Sequence, residues 1–330
     1  MRRQDNSMQY TILGNTGLKV SVAGLGCGGN SRLGLGSGGT DAQAVDVVRA
    51  ALDLGVNFID TAEAYGTEHV VGQAVAGRRD KVVISSKCRS RNPTGPISGA
   101  DAVKALENSL RLLKTDYVDI YHLHAVAPAN YEHAMKEIAP ALLREKEKGK
   151  LRHLGVTETG PNDPRQEMMA RAIAEPPWEV VMFAYSMMNQ GARRAILPTA
   201  KTRGVGTLLM FVVRNIFSRP TALKQAMADL AVSGQVPAEF ARSDAPLSFL
   251  IHEGGATSLT DAAYRFVRHE PGVDVVLFGT GKQEHLRANI DSILRPPLPE
   301  ADMRKLRDLF GKLVGVGLDL PDAVRAAAKA

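Results

Sequence analysis

NFIDTAEAYG, residues 57–66, sets a short apolar run directly ahead of an acid, a second acid and a phenol. The run through Phe58 and Ile59 has the length and β-forming character of a buried strand. Asp60, Glu63 and Tyr65 then occupy the turn leading into an amphipathic stretch at about 67–77. Alone, this turn is an ordinary helix start. The same order of apolar run, polar loop and amphipathic helix recurs along the chain, and the recurrence decides the fold.

Upstream, VAGLGCG precedes a helix expected at about 41–54, with Thr40 and Asp41 as cap candidates. Downstream, KVVISSK precedes about 99–114, YVDIYHLH precedes about 130–148, and LRHLGVT precedes about 164–174. VVMFAYS precedes 191–203, GVGTLLMF precedes a long helical stretch, and VDVVLFG precedes 282–293. The runs are mostly continuous in apolar residues, as expected for strands covered on both faces. Regular strand–helix alternation implies a parallel sheet, and eight repeats imply closure into a (β/α)8 TIM barrel of the α/β class. An open doubly wound sheet is the competing architecture, but no G-x-G-x-x-G follows the first strand, and GLGCGG has the wrong spacing. QYTILGNTGLKVS adds an N-terminal β-hairpin. A long insertion follows strand seven, with PTALKQAMADLAVSG and PLSFLIHEGG as helical pieces, and PEADMRKLRDLFGKLVGV adds an extra C-terminal helix before an Ala-rich tail expected to fray. All 330 residues are read as a single domain.

Composition narrows the function. A hydrophobic share of 44% supports a large core, while no apolar run approaches the length needed to span a bilayer, so no membrane association is expected. MRRQDNSMQY lacks the apolar segment of a signal peptide, and two distant cysteines, Cys27 and Cys88, suggest reduced thiols and a cytoplasmic setting. The net charge of +6 permits an anionic partner, but the basic residues are dispersed and no nucleic-acid motif accompanies them, so no nucleic-acid binding is expected.

In such barrels the chemistry lies where the strands end. Strand two ends at Asp60 with Tyr65 beyond it; strand three ends at Lys87, strand four at His124, and strand five at Thr157 and Glu158. A lysine closing an apolar strand needs a partner, and Asp60 on the adjacent strand is placed to be one. Each residue alone also reads as structural: a buried ion pair, a backbone-satisfied histidine, a rim tyrosine. Two chemistries fit the set. A metal site would draw on Asp60, Glu63, His124 and Glu158 or His69, but Lys87 in its midst would repel a cation, and no metal is expected. Proton transfer fits better: Lys87 is expected to lower the Tyr65 pKa, Asp60 to hold Lys87, and His124 to orient a substrate oxygen. A developing alkoxide calls for hydride, and hydride for a cofactor.

The motifs YTILGNTGLKVS…GLGCGG, GVNFIDTAEAYG, VVISSK, YVDIYHLH and GKLRHLGVT together resemble, in order and spacing, the aldo-keto reductase superfamily, from about residue 8 to about 295. The resemblance implies a (β/α)8 barrel that binds NADP(H) in an extended form and reduces an aldehyde or ketone to an alcohol. It places the family's catalytic tetrad on Asp60, Tyr65, Lys87 and His124, with Tyr65 as proton donor. It implies a small-molecule carbonyl or alcohol substrate. The superfamily's potassium-channel auxiliary subunits, which hold NADPH and turn over slowly, supply the alternative: an auxiliary or redox-sensing subunit.

The cofactor positions implied by the resemblance are less faithful. Thr157-Glu158 stands where many relatives carry Ser-Asn, Met182 where a glutamine is expected, and Met210 or Phe211 where a tyrosine stacks on the nicotinamide. An altered nicotinamide pocket is therefore expected. Residues 278–290 resemble the family segment that grips the adenosine 2′-phosphate, through Gly279, Thr280, Gly281, Lys282, His285 and Asn289, with Arg287 adding charge. The charge favours NADP(H) over NAD(H). Substrate choice falls to the loops at Gly29–Gly39, Ala125–Asn130 and after Met210; Arg214 is the one candidate clamp for an anion, and Tyr185, Met187 and Phe211 are candidate apolar lining. Trp178 precedes strand six, far from the chemistry, and is read as core.

Overall fold

A computed structural model describes residues 7–319. The eight apolar runs form strands β1 (Ala23–Gly26), β2 (Phe58–Asp60), β3 (Val83–Arg89), β4 (Val118–Val126), β5 (Leu151–Glu158), β6 (Val180–Ala184), β7 (Gly206–Met210) and β8 (Val275–Phe278). Each pairs in parallel with its neighbour in sequence, and β8 pairs with β1 to close the barrel. The expected TIM barrel is thus the observed fold. One main helix follows each strand: α1 (Asp41–Asp53), α2 (Glu68–Ala74), α3 (Gly99–Leu113), α4 (Ala139–Glu147), α5 (Glu167–Ala172), α6 (Leu197–Arg203), α7 (Leu259–Arg268) and α8 (Gln283–Leu294). Thr40 and Ser98 close capping boxes on α1 and α3, which satisfy the first backbone N–H groups and fix where each helix starts.

Side chains alternate between the barrel axis and the helices. Phe58, Val83, Ile120, Val180, Leu208 and Val275 face inward near the strand starts, where Leu13 and Val20 from the N-terminal hairpin join them. That hairpin (Tyr10–Ile12 with Lys19–Ser21) plugs one end of the barrel. Ile59, Ile84, Tyr121, Val156 and Phe183 face outward into the larger core shared with the helices. Two residues further along the inward rows stand Asp60, Ser85 and His122, so the polar end is the one opposite the plug.

Several boundaries differ from the sequence reading. The helix expected at 191–203 is split into Ala192–Ala195 and Leu197–Arg203, with Pro198 in the first turn of the second piece. The stretch expected at about 130–148 opens as Tyr131–His133 and passes through a π turn, Ala134–Ile138, before Pro140, which has no N–H to give the ladder. In the insertion Pro220–Val232 is helical as expected, but PLSFLIHEGG yields only a 3-10 turn at Ser248–Leu250; the paired glycines that follow, with Gly254 at φ 81°, favour turning over propagation. A two-residue hairpin, Arg91–Asn92 with Gly95–Pro96, follows β3 unannounced. The extra C-terminal helix spans Glu300–Phe310. Trp178 is buried and donates to the Tyr131 hydroxyl, as a core residue does. The N-terminal residues 1–6 and the Ala-rich tail lie outside the described residues. No helix among the described residues is long and apolar enough to cross a membrane.

Candidate active site

The register of β2, β3 and β4 sets Asp60 beside Ser85, Lys87 beside His122 and Arg89 beside His124. Lys87 has no exposed surface. Its ammonium donates to both carboxylate oxygens of Asp60, at 2.8 and 2.7 Å, and to the carbonyl of Thr61 at 2.6 Å. Three acceptors thus surround three protons, which is what a buried ammonium requires. Ser85 donates to Asp60 Oδ1 at 2.8 Å and fixes the carboxylate from the other side. Burial pulls the Lys87 amine down, but Asp60 and Tyr65 more than offset it, so the net direction is up and the lysine stays charged.

Tyr65 stands in the β2 loop with Lys87 Nζ 4.8 Å from its ring centroid. His124 meets the same ring edge-on, at 5.5 Å between centroids. The charge of Lys87 was expected to lower the phenol pKa; the structure reverses the net direction, because desolvation raises it more than Lys87 lowers it. The hydroxyl therefore keeps its proton at neutral pH, with the Lys87 charge close enough to favour its anion. The His124 pKa is lowered to about 3 by burial, with Lys87 and Arg89 adding to the effect. A neutral imidazole results, with one N–H to donate. Beneath it, His122 packs over Gly155, where a Cβ would come within 2.3 Å of the His122 ring.

The other expected site residues divide. Thr157 accepts the backbone N–H of Ala125 at 2.8 Å, pinning the strand irregularity that follows His124, where Ala125 takes φ 55°. Its own O–H remains a donor. Met182 lies beside Thr157 in register, within the inner apolar set. Glu158 is displaced from the expected cofactor role: its Oε1 accepts Ala184 N–H at 2.8 Å, its Oε2 accepts Gln166 Nε2 at 2.9 Å, and only 2% of the residue is exposed. Burial raises its pKa to about 8, against those two hydrogen bonds. Met210 and Phe211 close β7, with the Arg214 guanidinium 4.3 Å from the Phe211 ring centroid. Arg214 also binds Asp319, which removes it as the expected anion clamp. Tyr185 and Met187 are fully buried, and Tyr185 donates to Glu270 instead of lining a pocket.

At the far end, Gly279, Thr280 and Gly281 lead into α8, whose N-terminus has no side-chain cap. Thr280 Oγ1 takes the Lys282 N–H at 3.0 Å. Lys282, His285 and Arg287 are exposed, Lys282 and His285 both lie near Glu284, and Asn289 is partly buried. An uncapped helix start flanked by cations fits an anionic phosphate. Gly281 packs directly on Gly34, whose Cα would lie 2.5 Å from an added Cβ, so the first loop reaches the loop expected to hold phosphate. That loop also lies against the chemistry. A Cβ on Gly28 would fall 2.7 Å from the Tyr65 ring, and Arg32 Nε donates to the Tyr65 carbonyl at 2.7 Å. Ser85, Thr61, Gly28, Arg32 and Arg89 were missed from the sequence. Period-two spacing below Lys87 could have found Ser85; the loop contacts leave no local signal. Among the described residues, no three His, Cys, Asp or Glu side chains are grouped to hold a metal ion.

The fold defines a closed (β/α)8 barrel with an ionisable cluster at its strand ends, and comparison with known proteins gives its family. The Aldo/keto reductase family model matches residues 25–310. The aldo-keto reductase YhdN of Bacillus subtilis is 28% identical over 299 residues, covering 85% of this chain and 87% of the relative. L-galactose dehydrogenase of Arabidopsis thaliana is 32% identical over 208 residues, 61% of this chain and 64% of that enzyme. The holo form of aldo-keto reductase AKR11C1 from Bacillus halodurans superposes with a TM-score of 0.70, covering 94% of this chain and all of that one; at 21% identity this likeness speaks for the fold. The chain belongs to the aldo/keto reductase family.

Proposed function

We propose that this single barrel domain is an NADPH-dependent carbonyl reductase that converts an aldehyde or ketone to an alcohol. The observation that carries the reading is the enclosed Lys87 ammonium, held by Asp60 and Thr61 under the Tyr65 ring with His124 at that ring's edge. NADPH, when bound, would supply the hydride for the carbonyl carbon. The chain's residues manage the oxygen. His124, neutral, donates a hydrogen bond that orients it. Tyr65 gives the proton, and Lys87 stabilises the phenolate that forms. Asp60, held by Ser85, keeps Lys87 charged and in place. Thr157 would offer its O–H to the nicotinamide amide, and the start of α8 with Lys282 and Arg287 would hold the 2′-phosphate.

The Glu158 carboxyl, held by Ala184 and Gln166, and the apolar Met182 support a second reading, a slow-turnover NADPH-binding auxiliary or redox-sensing subunit. Loss of reduced-nicotinamide absorbance with NADPH and a panel of aldehydes and ketones, chelator present, tests the first. Carbonyl-dependent turnover is expected. NADPH binding without turnover on any carbonyl would transfer the assignment to the second reading.

A further inference from the structure

Two arginines border the strand-end cluster, Arg32 at the Tyr65 turn and Arg89 beside His124 in the strand register. Arg32 belongs to the first loop, and its Nε–H···O bond to the Tyr65 carbonyl anchors it at the tyrosine side. Its Nη2 lies over Gly66, 3.1 Å from where a Cβ on that glycine would be. The loop holds this position at a conformational cost: Arg32 and Leu33 both take positive φ, 43° and 59°, with Leu33 buried as the anchor. Arg89 stands on the His124 side, directly opposite His124 in the β3–β4 register, and its charge helps depress the His124 pKa. In the β3 alternation it falls on the inward row of Val83, Ser85 and Lys87, one step above Lys87 at the mouth.

Both residues are exposed, and neither side chain is ion-paired among the described residues. Glu63 is the carboxylate nearest this mouth by contact, and its Oε2 accepts the Arg89 backbone N–H at 3.2 Å, not the guanidinium. Two cations against one acid leave the rim net positive beside a carbonyl site. Arginine's planar fork of donors suits a carboxylate better than any other side chain does.

We infer that Arg32 and Arg89 form an anion-recognition rim, and that the preferred substrates are carbonyl compounds bearing a carboxylate a few bonds from the reacting carbon. The inference rests on the carbonyl-reductase reading for its kinetic form, but carboxylate binding at the rim does not require turnover. Arg89 lies on β3, a different element from the expected NADPH phosphate contacts, whereas the Arg32 loop packs on Gly281, so KM for NADPH is measured for each variant alongside the substrate ratio.

The test pairs terephthalaldehydic acid with its methyl ester, which share the aldehyde but not the remote charge, and measures the ratio of kcat/KM for acid over ester in wild type and variants, so that the intrinsic difference between the two compounds cancels. The wild type is expected to favour the acid. Arg89→Met and Arg32→Gln should each lower that ratio roughly tenfold, the size of one lost hydrogen bond to a charged group, with a larger fall for the pair. Added salt should erode the preference as well. In parallel, calorimetric titration of the NADPH-loaded protein with benzoate and with benzamide reads binding without chemistry. Benzoate should bind more tightly than benzamide, and the advantage should shrink in both variants. Equal binding of the two probes, or an acid-to-ester ratio unmoved by either substitution, would overturn the anion rim. Benzoate selectivity that depends on the arginines in a protein that reduces no carbonyl would uphold the rim and overturn the reductase reading instead.

Discussion

Lys87 and Lys282 are both lysines placed for their charge, and they stand in opposite physical worlds. Lys87 has no exposed surface and three oxygens around its ammonium; Lys282 is exposed, with Glu284 at 3.6 Å as its ion-pair partner. The first is fixed by strand register, the second by a loop and a helix start. Buried charge cannot relax when its partner is removed, whereas exposed charge is screened and replaceable. The strand-end cluster proposed for the chemistry should therefore respond sharply to substitution, and the α8 start proposed for the adenosine end gently and in a salt-dependent way.

The largest effect is expected at the proposed proton donor. Tyr65→Phe should lower kcat by roughly 10²–10⁴-fold, the range for loss of a general acid, while NADPH affinity stays within a few fold. Unchanged turnover would break the contrast at its strongest point. Next comes Lys87→Met, which strands Asp60. It should cut the rate, alter the pH profile and cost about 3–5 kcal/mol of stability, as removal of one partner from a buried pair does. Adding Asp60→Asn should recover part of the stability and none of the rate. A lone Lys87→Met variant as stable as wild type would mean that the pair is not tightly enclosed.

A smaller, pH-dependent effect belongs to Glu158. Its folded pKa is about 8 against an ordinary 4.5, so the folded chain keeps a proton that the unfolded chain has lost. Stability from this group is full below about pH 4.5 and falls as pH rises towards 8, by at most about 1.4 kcal/mol per pH unit. Thermal melts of wild type and Glu158→Gln across that window should diverge, with the wild type losing ground as pH rises; parallel curves would refute the buried, protonated carboxyl. The smallest effect is expected from Lys282→Ala with Arg287→Ala: a several-fold rise in KM for NADPH, less for NADH, and less again at high salt. Equal changes for both cofactors would remove the 2′-phosphate assignment.

The same division explains what could be read from the chain. Each tetrad candidate ends an apolar run or sits just past one, so the strand-end rule brought Asp60, Tyr65, Lys87 and His124 forward together with Thr157 and Glu158, and only the family resemblance set the four apart. The barrel followed from eight such runs. Glu158 was misplaced because the residue type said acceptor while the fold had already assigned both oxygens, to Ala184 and Gln166, through contacts 26 and 8 residues away in sequence. Arg214 failed similarly, being bound by Asp319 from the far end of the chain. The tyrosine's net pKa direction was also hidden, because burial competes with charge and only the fold supplies the burial. Arg32 and Gly28 sit in a glycine-rich loop whose sequence offers no period to follow.

Transient kinetics with NADPH and a reactive aldehyde would test the central claim most directly, since one experiment separates cofactor affinity from the hydride-transfer step. An intact catalytic end joined to an altered nicotinamide pocket predicts rapid, aldehyde-dependent oxidation of NADPH at saturation, with modest cofactor affinity. Tight NADPH retention with no hydride transfer to any aldehyde would contradict it.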